Sequence, residues 1–433
     1  MSERTGRPRL LFLCHTLPYP PDGGPWIRTF HVLRHLARAF DITALCFERS
    51  PTAGGGVAWD VAAGNEALGR YAAVEVFPIP QARSRSRFVW DHLRSTALAQ
   101  VYTTYLYQSG AFRRRLRQLL RSRSFDLVHI DSFDLSGYLP ECHSLPVVCV
   151  HHDIQSALLR RRAAVDARVL RRAYARYQAA LMAREERRWC GRVGLNVAVS
   201  DVDAALLMRL VPAARVAVVP NGVDVDEFQS SGDGTGTGVA FVGGAAVFPN
   251  AAALEFFCTA ILPHLRAATT DLPVRWIGRA TPDQQRHYAG RYGVHLTGYV
   301  EDVRPLMREA ACHVVPLTTG GGTRLKILNS WAMGKPVVST SIGCEGLAAV
   351  DGDNILIRDE PAAFADAVLR VLADETLRRR LGAGGRATVE RLYSWDIVGE
   401  RMRNAYLDLA REHAQNLLSP CSAISGQLYP LHE

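Results

Sequence analysis

GGGTRLKILNSWAMG, residues 320–334, followed by Lys335 and Pro336, is the stretch whose reading decides the fold. Three consecutive glycines strip one turn of side chains and let backbone N–H groups approach a ligand closely. Thr323 suits a helix cap, a helix then runs from Arg324 to Met333, Gly334 ends it in a left-handed turn, and Pro336 forbids its resumption. Val337 and Val338 read as the next strand, and Cys312 to Val315 as the one before. Arg324 and Lys326 fall in the first helical turn, where cations oppose the helix dipole. A bound anion removes that conflict, because the N–H groups of Gly320, Gly321 and Gly322, the free helix N–H groups and both cations then converge on one phosphate. Lys326 and Lys335 are the only lysines in a chain that otherwise uses arginine. The plainer alternative is a solvated helix start after a flexible loop.

The same strand-then-glycine pattern repeats before this stretch. Val239 to Val242 leads to Gly243-Gly244, Val274 to Ile277 leads to Gly278, and His295-Leu296 leads to Gly298. The amino half follows the same plan. A strand at Leu10 to His15 meets a turn-rich loop with Gly23-Gly24, then a helix patterned by Ile27, Phe30, Val32, Leu33 and Leu36. Apolar strands at 125–130 and 147–150 end at Asp131 and at His151-His152-Asp153, at the strand edge where α/β enzymes place their sites. Ser200 reads as a helix cap, with Asp201 and Asp203 in the turn it opens. The expected fold class is α/β, with mostly parallel sheets. The expected division is an amino-terminal domain over 1–222, a Gly/Ser-rich hinge over 223–237, a second domain over 238–391, a helix over 392–412 and a tail over 413–433.

A chain of 433 residues that is 48% hydrophobic can fill two such domains, and no apolar run reaches transmembrane length. Leu10 to Cys14 reads as a buried first strand, not as a signal peptide. Nine scattered cysteines without a CxxC pair point to reduced thiols, a cytoplasmic setting and no zinc site. The formal charge of +9 admits nucleic acid, an anionic membrane or an anionic substrate. The run RRRLRQLLRSR at 113–123 is either a solvated helix face or a surface for anionic lipid headgroups, which would place the protein peripherally on the inner face of a membrane. No nucleic-acid module is visible, so nucleic acid is not an expected partner.

The motifs VPNGVD (219–224), FVG (241–243), PN (249–250), GYVEDV (298–303), the stretch 315–340, EGL (345–347), DGDN (351–354) and YSW (393–395) resemble the retaining glycosyltransferases of family 4. PYPPDGG near the amino terminus resembles them too, more weakly. The resemblance implies the GT-B architecture: two Rossmann-like domains facing a cleft, with a carboxyl-terminal helix crossing back to the first. It implies transfer of a sugar from a nucleotide-diphosphate donor, of UDP or GDP type, to a glycan, lipid-linked or natural-product hydroxyl. It implies no tightly bound cofactor, and the absence of a DxD-like motif adds an expectation of metal independence. Arg324 and Lys326 would hold the diphosphate, and His152 would contact the transferring sugar, with His151 and Asp131 as alternatives. Gly23 and Gly24 would lie near the donor phosphate or acceptor, and the turn from Gly298 to Val303 near the base. Gly243, Gly244, Gly278, Gly320, Gly321, Gly322, Thr323, Asn329 and Glu345 complete the expected donor site.

Two positions depart from the family pattern. Its paired glutamates are replaced here by Gly321 and Asn329. A charge-assisted bond to the ribose is worth about 1.5–3 kcal/mol against about 1 kcal/mol for a neutral one, so modest nucleotide affinity is expected. The departures also keep open a noncatalytic partner or scaffold, and a nucleotide-sugar epimerase is a further alternative.

Overall fold

In the computed structural model, which describes residues 6–49, 60–80, 84–165, 168–230, 236–320 and 324–418, the strand–helix alternation closes into two parallel sheets. The first holds β1 (Arg9–Cys14), β2 (Asp41–Phe47), β3 (Ala73–Phe77), β4 (Leu127–Ile130), β5 (Val147–His151), β6 (Leu195–Ala198) and β7 (Val216–Val218), in the order β3-β2-β1-β4-β5-β6-β7. The second holds β8 (Val239–Val242), β9 (Val274–Ile277), β10 (Val294–Leu296), β11 (Cys312–Val315), β12 (Val337–Ser339) and β13 (Leu356–Ile357), in the order β10-β9-β8-β11-β12-β13. The helices that frame the cleft and the surfaces beside it are α1 (Gly24–Leu36), α2 (Arg85–Ala97), α3 (Gly110–Ser122), α4 (Gln155–Val165), α5 (Val169–Trp189), α6 (Phe248–Phe256), α7 (Leu325–Ala332) and α8 (Trp395–Leu418).

The strand order reverses between β1 and β4 in the first sheet and between β8 and β11 in the second. Connections leave for opposite faces at those points, which opens a crevice beyond the carboxyl ends of the strands. Asp131 N donates to Leu13 O at 2.9 Å, so the register of β1 with β4 carries His15 and Asp131 to that edge together.

Both faces of the first sheet are buried, as its near-continuous apolar strands require. Leu11, Leu13, Leu45 and Phe47 pack on one side with Phe112, Leu116 and Leu119 of α3. Leu10, Phe12, Ile42 and Ala44 pack on the other with Trp395, Val398, Met402, Tyr406 and Leu409 of α8. The last helix therefore belongs to the core of the first sheet. Trp395 stacks on His31 at 4.5 Å between ring centroids, and Tyr406 Oη lies 2.7 Å from His129 Nδ1. The helix runs to Leu418, beyond the 412 boundary expected from sequence, while residues 419–433 lie outside the described residues.

The two crossings between the sheets run side by side. Val223 N donates to Tyr393 O at 2.8 Å, and Trp395 N donates to Val223 O at 3.2 Å. Arg28, buried on α1, holds the outbound crossing: Nη1 donates to Pro220 O and Asn221 Oδ1, and Nη2 to Val219 O, each at 2.8 Å.

Candidate functional site

The glycines that end β8, β9 and β10 are in contact. Gly243 and Gly278 sit at φ +156° and +141°, and a Cβ on Gly278 would lie 2.8 Å from the carbonyl carbon of Gly243. Only glycine tolerates that backbone and that approach. Gly278 also bridges to Gly298, so one edge of the second sheet is bare main chain. Gly244 lies beside Arg279, whose guanidinium covers the Tyr299 ring at 4.4 Å. Val303 starts the turn into Arg304–Glu309 and packs on Ala240, Ile277 and Met307.

One cation stands beside it, and a second lies close enough for its charge to act on the first. Lys326 Nζ donates to Asn250 Oδ1 at 2.7 Å and lies 4.2 Å from the centroid of the Phe241 ring, while Asn250 Nδ2 donates to Gly244 O at 3.2 Å. Burial, then the charge of Arg324, pulls the Lys326 ammonium down to about 7. Arg324 occupies the cap position of α7, one residue before the first turn where the sequence put it. Its guanidinium donates through Nη2 to Ile342 O at 3.1 Å and lies 3.9 Å from Glu345 Oε2. Arg161 of α4 reaches across from the first domain, donating to Gly320 O at 2.7 Å and lying 3.2 Å from the same Glu345 oxygen. Glu345 thus bridges two guanidinium groups. Asn329 is half-buried on α7, and Gly321, Gly322 and Thr323 lie outside the described residues. The second lysine, Lys335, is buried with its ammonium on Arg308 O, where it holds a turn.

The first sheet supplies the opposite wall. Gly23 caps α1, and a Cβ on Gly24 would sit 3.6 Å from Leu325 Cδ1, so the starts of α1 and α7 abut. Asp131 is buried and fully engaged. Thr29 Oγ1 donates to it at 2.9 Å, His15 Nδ1 lies 3.0 Å away, and His129 and His152 approach to 3.5 and 3.7 Å. Burial opposes its charge, yet hydrogen bonds from His129, His15 and His152 hold its carboxyl well below the usual range. Asp131 is thus placed to orient three histidines. His151 is turned away from the cleft: its Nε2 pairs with Asn196 at 3.0 Å, and its ring stacks on Phe133. Strand alternation explains the difference, because the last strand residue points into the sheet's packing and its neighbour points out. Among the described residues, Cys14, His15 and Asp131 also form the one group whose ligand-type atoms lie within 4.8 Å of one another. Burial and the nearby Asp131 push the Cys14 thiol well up, so it stands as a thiol donating to Thr16 O.

His15 and His152 face a cavity of about 850 Å³ that also meets Pro25 of α1 and Phe248 of α6. Asp134, Asp153, Gln155 and Arg171 are among its polar lining, while Tyr102, Leu158, Leu159, Tyr174 and Met182 supply apolar wall. Burial, then Asp203, raises the Asp153 carboxyl to about 7. Asn250, Arg161 and His15 were not singled out from sequence as site residues. Asn250 carried a signal, the Pro-Asn pair that opens α6, whereas Arg161 is one of many arginines on its helix.

A solved structure of Thermosynechococcus elongatus sucrose-phosphate synthase superposes with a TM-score of 0.67 at 15% identity, covering 93% of this chain and 100% of that one. The Anabaena HepE protein in complex with UDP superposes at 0.64 and 15% identity, covering 92% and 100%. The chain has the GT-B glycosyltransferase fold. Two family profiles match in tandem on it: Glycosyltransferase Family 4 over residues 22–227 and Glycosyl transferases group 1 over residues 236–374. The Mycobacterium tuberculosis phosphatidyl-myo-inositol mannosyltransferase is 31% identical over 242 residues, which is 51% of this chain and 61% of that relative. The match to this GT-B chain thus spans less than two thirds of that relative's length.

Proposed function

We propose that the protein transfers a sugar from a nucleotide-diphosphate donor to an acceptor hydroxyl in the 850 Å³ cavity, with retention at the anomeric carbon. The observation that carries this reading is the pairing of two neighbouring cations, Lys326 beside the bare glycine edge of β8–β10 and Arg324 beside Gly320 at the cap of α7. Both cations stand where negative charge grows on the departing diphosphate. In the step itself, the bond from the anomeric carbon to the diphosphate oxygen breaks and a bond to the acceptor oxygen forms on the same face. The acceptor proton passes to the leaving phosphate, so no enzymic nucleophile is needed. His152, facing the cavity with Asp131 behind it, hydrogen-bonds the transferring sugar. The named substrate of the mycobacterial relative, a phosphatidyl-inositol, favours a lipid-borne hydroxyl among the acceptor classes. The site needs no metal to balance the diphosphate, and chelation should leave transfer intact.

The test is a panel of UDP and GDP sugars assayed for binding by calorimetry and for transfer by NMR of the product linkage. A product with the donor's anomeric configuration is expected. Inversion at that carbon would end the retaining reading, and failure of every donor to bind the folded protein would end the transferase reading. His152→Ala should lower kcat while leaving nucleotide affinity in place.

Lys326 adds a pH signature. Its ammonium titrates near 7 in the free protein, and a diphosphate arriving beside it favours the charged form. Donor binding at pH 8 should therefore take up close to one proton. Affinity should fall by up to about tenfold per pH unit above 7, until the pKa of the bound state is reached. Calorimetry at pH 8 in buffers of different ionisation heat reads the uptake directly. It should vanish in Lys326→Met, and an uptake unchanged by that substitution would assign the proton elsewhere, with Asp153 the neighbouring group that titrates in this range.

A further inference from the structure

Helix α2 is built inside out. Its polar residues Asp91 and Ser95 are buried, with Gln178 Nε2 donating to Ser95 Oγ at 2.8 Å. Its apolar residues face outward: Val89 is 56% exposed, Trp90 60% and Leu93 58%. Positions 89, 90 and 93 share one side of an α-helix, so the exposure forms a stripe. At the start of α5, Leu170 is 85% exposed beside Val169. The two elements are joined across their inner sides, where His92 stacks on Tyr102 at 3.8 Å and bonds Tyr174 Oη at 2.6 Å. Tyr102 and Tyr174 are themselves walls of the 850 Å³ cavity, and so is Arg171, the residue after Leu170. The outward apolar stripe and the inner apolar cavity are therefore two sides of one layer.

The surrounding charge is mostly positive. Residues 160–176 contain seven arginines and a single acidic residue, Asp166. Arg160, Arg162, Arg171 and Arg176 are exposed. In the 113–123 run on α3, which the sequence suggested for lipid headgroups, three of the six arginines pair with carboxylates. Arg115 grips Glu75 with two guanidinium nitrogens, and Arg113 and Arg117 lie 3.2 and 3.0 Å from Glu141. Among the described residues no helix is long and apolar enough to cross a membrane.

We propose that the outer face of α2 and the first turn of α5 form a docking surface for an anionic lipid bilayer. A stripe of aromatic and aliphatic side chains rimmed by arginine matches the acyl–headgroup boundary of such a membrane. A second copy of the chain fits less well, because a two-fold contact through this patch would set arginine against arginine. The surface stands next to the cavity wall, so a lipid-borne acceptor passes from the bilayer into the cavity along Tyr102 and Tyr174. That last link rests on the glycosyl-transfer reading, whereas the docking surface does not.

Flotation with phosphatidylcholine vesicles, with and without phosphatidylglycerol, tests the surface at low salt. The protein should float with the anionic vesicles only. Trp90→Ser combined with Leu93→Ser should lower partitioning by about tenfold or more, and Leu170→Ser should lower it further. Arg160→Gln with Arg176→Gln should weaken binding and flatten its salt dependence. Arg115→Gln should leave it unchanged, and brominated acyl chains should quench Trp90. Circular dichroism checks that the exposed substitutions keep the fold. Wild-type protein that ignores anionic vesicles, or binding that survives the α2 changes, would overturn the proposal. A wild-type dimer that those changes convert to monomer, without vesicle binding, would assign the patch to a second copy. Nucleotide-sugar binding measured in solution separates the two readings. If it is absent while vesicle binding is present, the docking surface stands and the transferase reading falls. If it is present while vesicle binding is absent, the reverse holds.

Discussion

Arg324→Ala should lower kcat by about 10²–10³-fold, the loss typical when one preorganised donor to a developing negative charge is removed. The guanidinium is buried at the cap of α7 and fixed by Ile342 O and Glu345, so little reorganisation is needed when the diphosphate departs. Acceptor binding should change far less, because the cavity walls come chiefly from the first domain. Arg324→Lys should recover little, since one ammonium cannot hold Ile342 O and a phosphate with the same planar fork. Single-turnover kinetics with saturating donor and acceptor give the answer, and an unchanged rate would remove Arg324 from the chemistry. Glu345→Gln is the informative companion. It removes the charge shared between Arg324 and Arg161 and leaves both guanidinium groups in place.

Arg28→Ala should destabilise the protein by about 3–5 kcal/mol, since each buried acceptor left without its donor costs about 1–3 kcal/mol. The change strands the carbonyls of Val219 and Pro220 and the side-chain oxygen of Asn221 in a dry interior. It also deprives Asp131 of a nearby positive charge; burial pulls the Arg28 guanidinium down to about 10, and Asp131 is the leading influence that opposes it. Arg28→Lys should rescue only part of the loss, because three acceptors at 2.8 Å need the guanidinium's divergent N–H groups. Guanidinium unfolding read by both fluorescence and circular dichroism measures it. A shift below about 1 kcal/mol would mean that water takes over all three acceptors.

Most of the sheet architecture was legible because parallel strands buried on both faces read as short apolar runs, ended by glycine, by proline or by polar residues. Val239–Val242, Val274–Ile277 and Cys312–Val315 are such cases. The partners of charged residues were not legible, because they lie far away along the chain. Arg28 falls at a polar position of an amphipathic helix and finds its acceptors 191–193 residues later. Arg115 pairs with Glu75, 40 residues earlier, so part of a run that reads as free positive charge is paired. Helix α2 escaped for a different reason. Periodicity reports that a helix has two faces but not which one turns inward, and the choice here was made by Gln178 and Tyr174 on α5. The adjacent His151 and His152 were separable only by strand parity, which requires knowing where β5 stops.

Val223 and Ser394 are bridge partners, so the chain leaves the first domain and returns to it at one spot. Everything between them, including β8–β13 and α7, is an insertion whose two ends meet, while α8 remains part of the first domain's core. Such a segment can be exchanged as a cassette through two junctions at one place without disturbing the packing of α8 on β1 and β4. Modular inheritance follows from that topology. The half carrying Arg324 and Lys326 can be traded between chains, while the cavity and the outward face of α2 stay with the first domain.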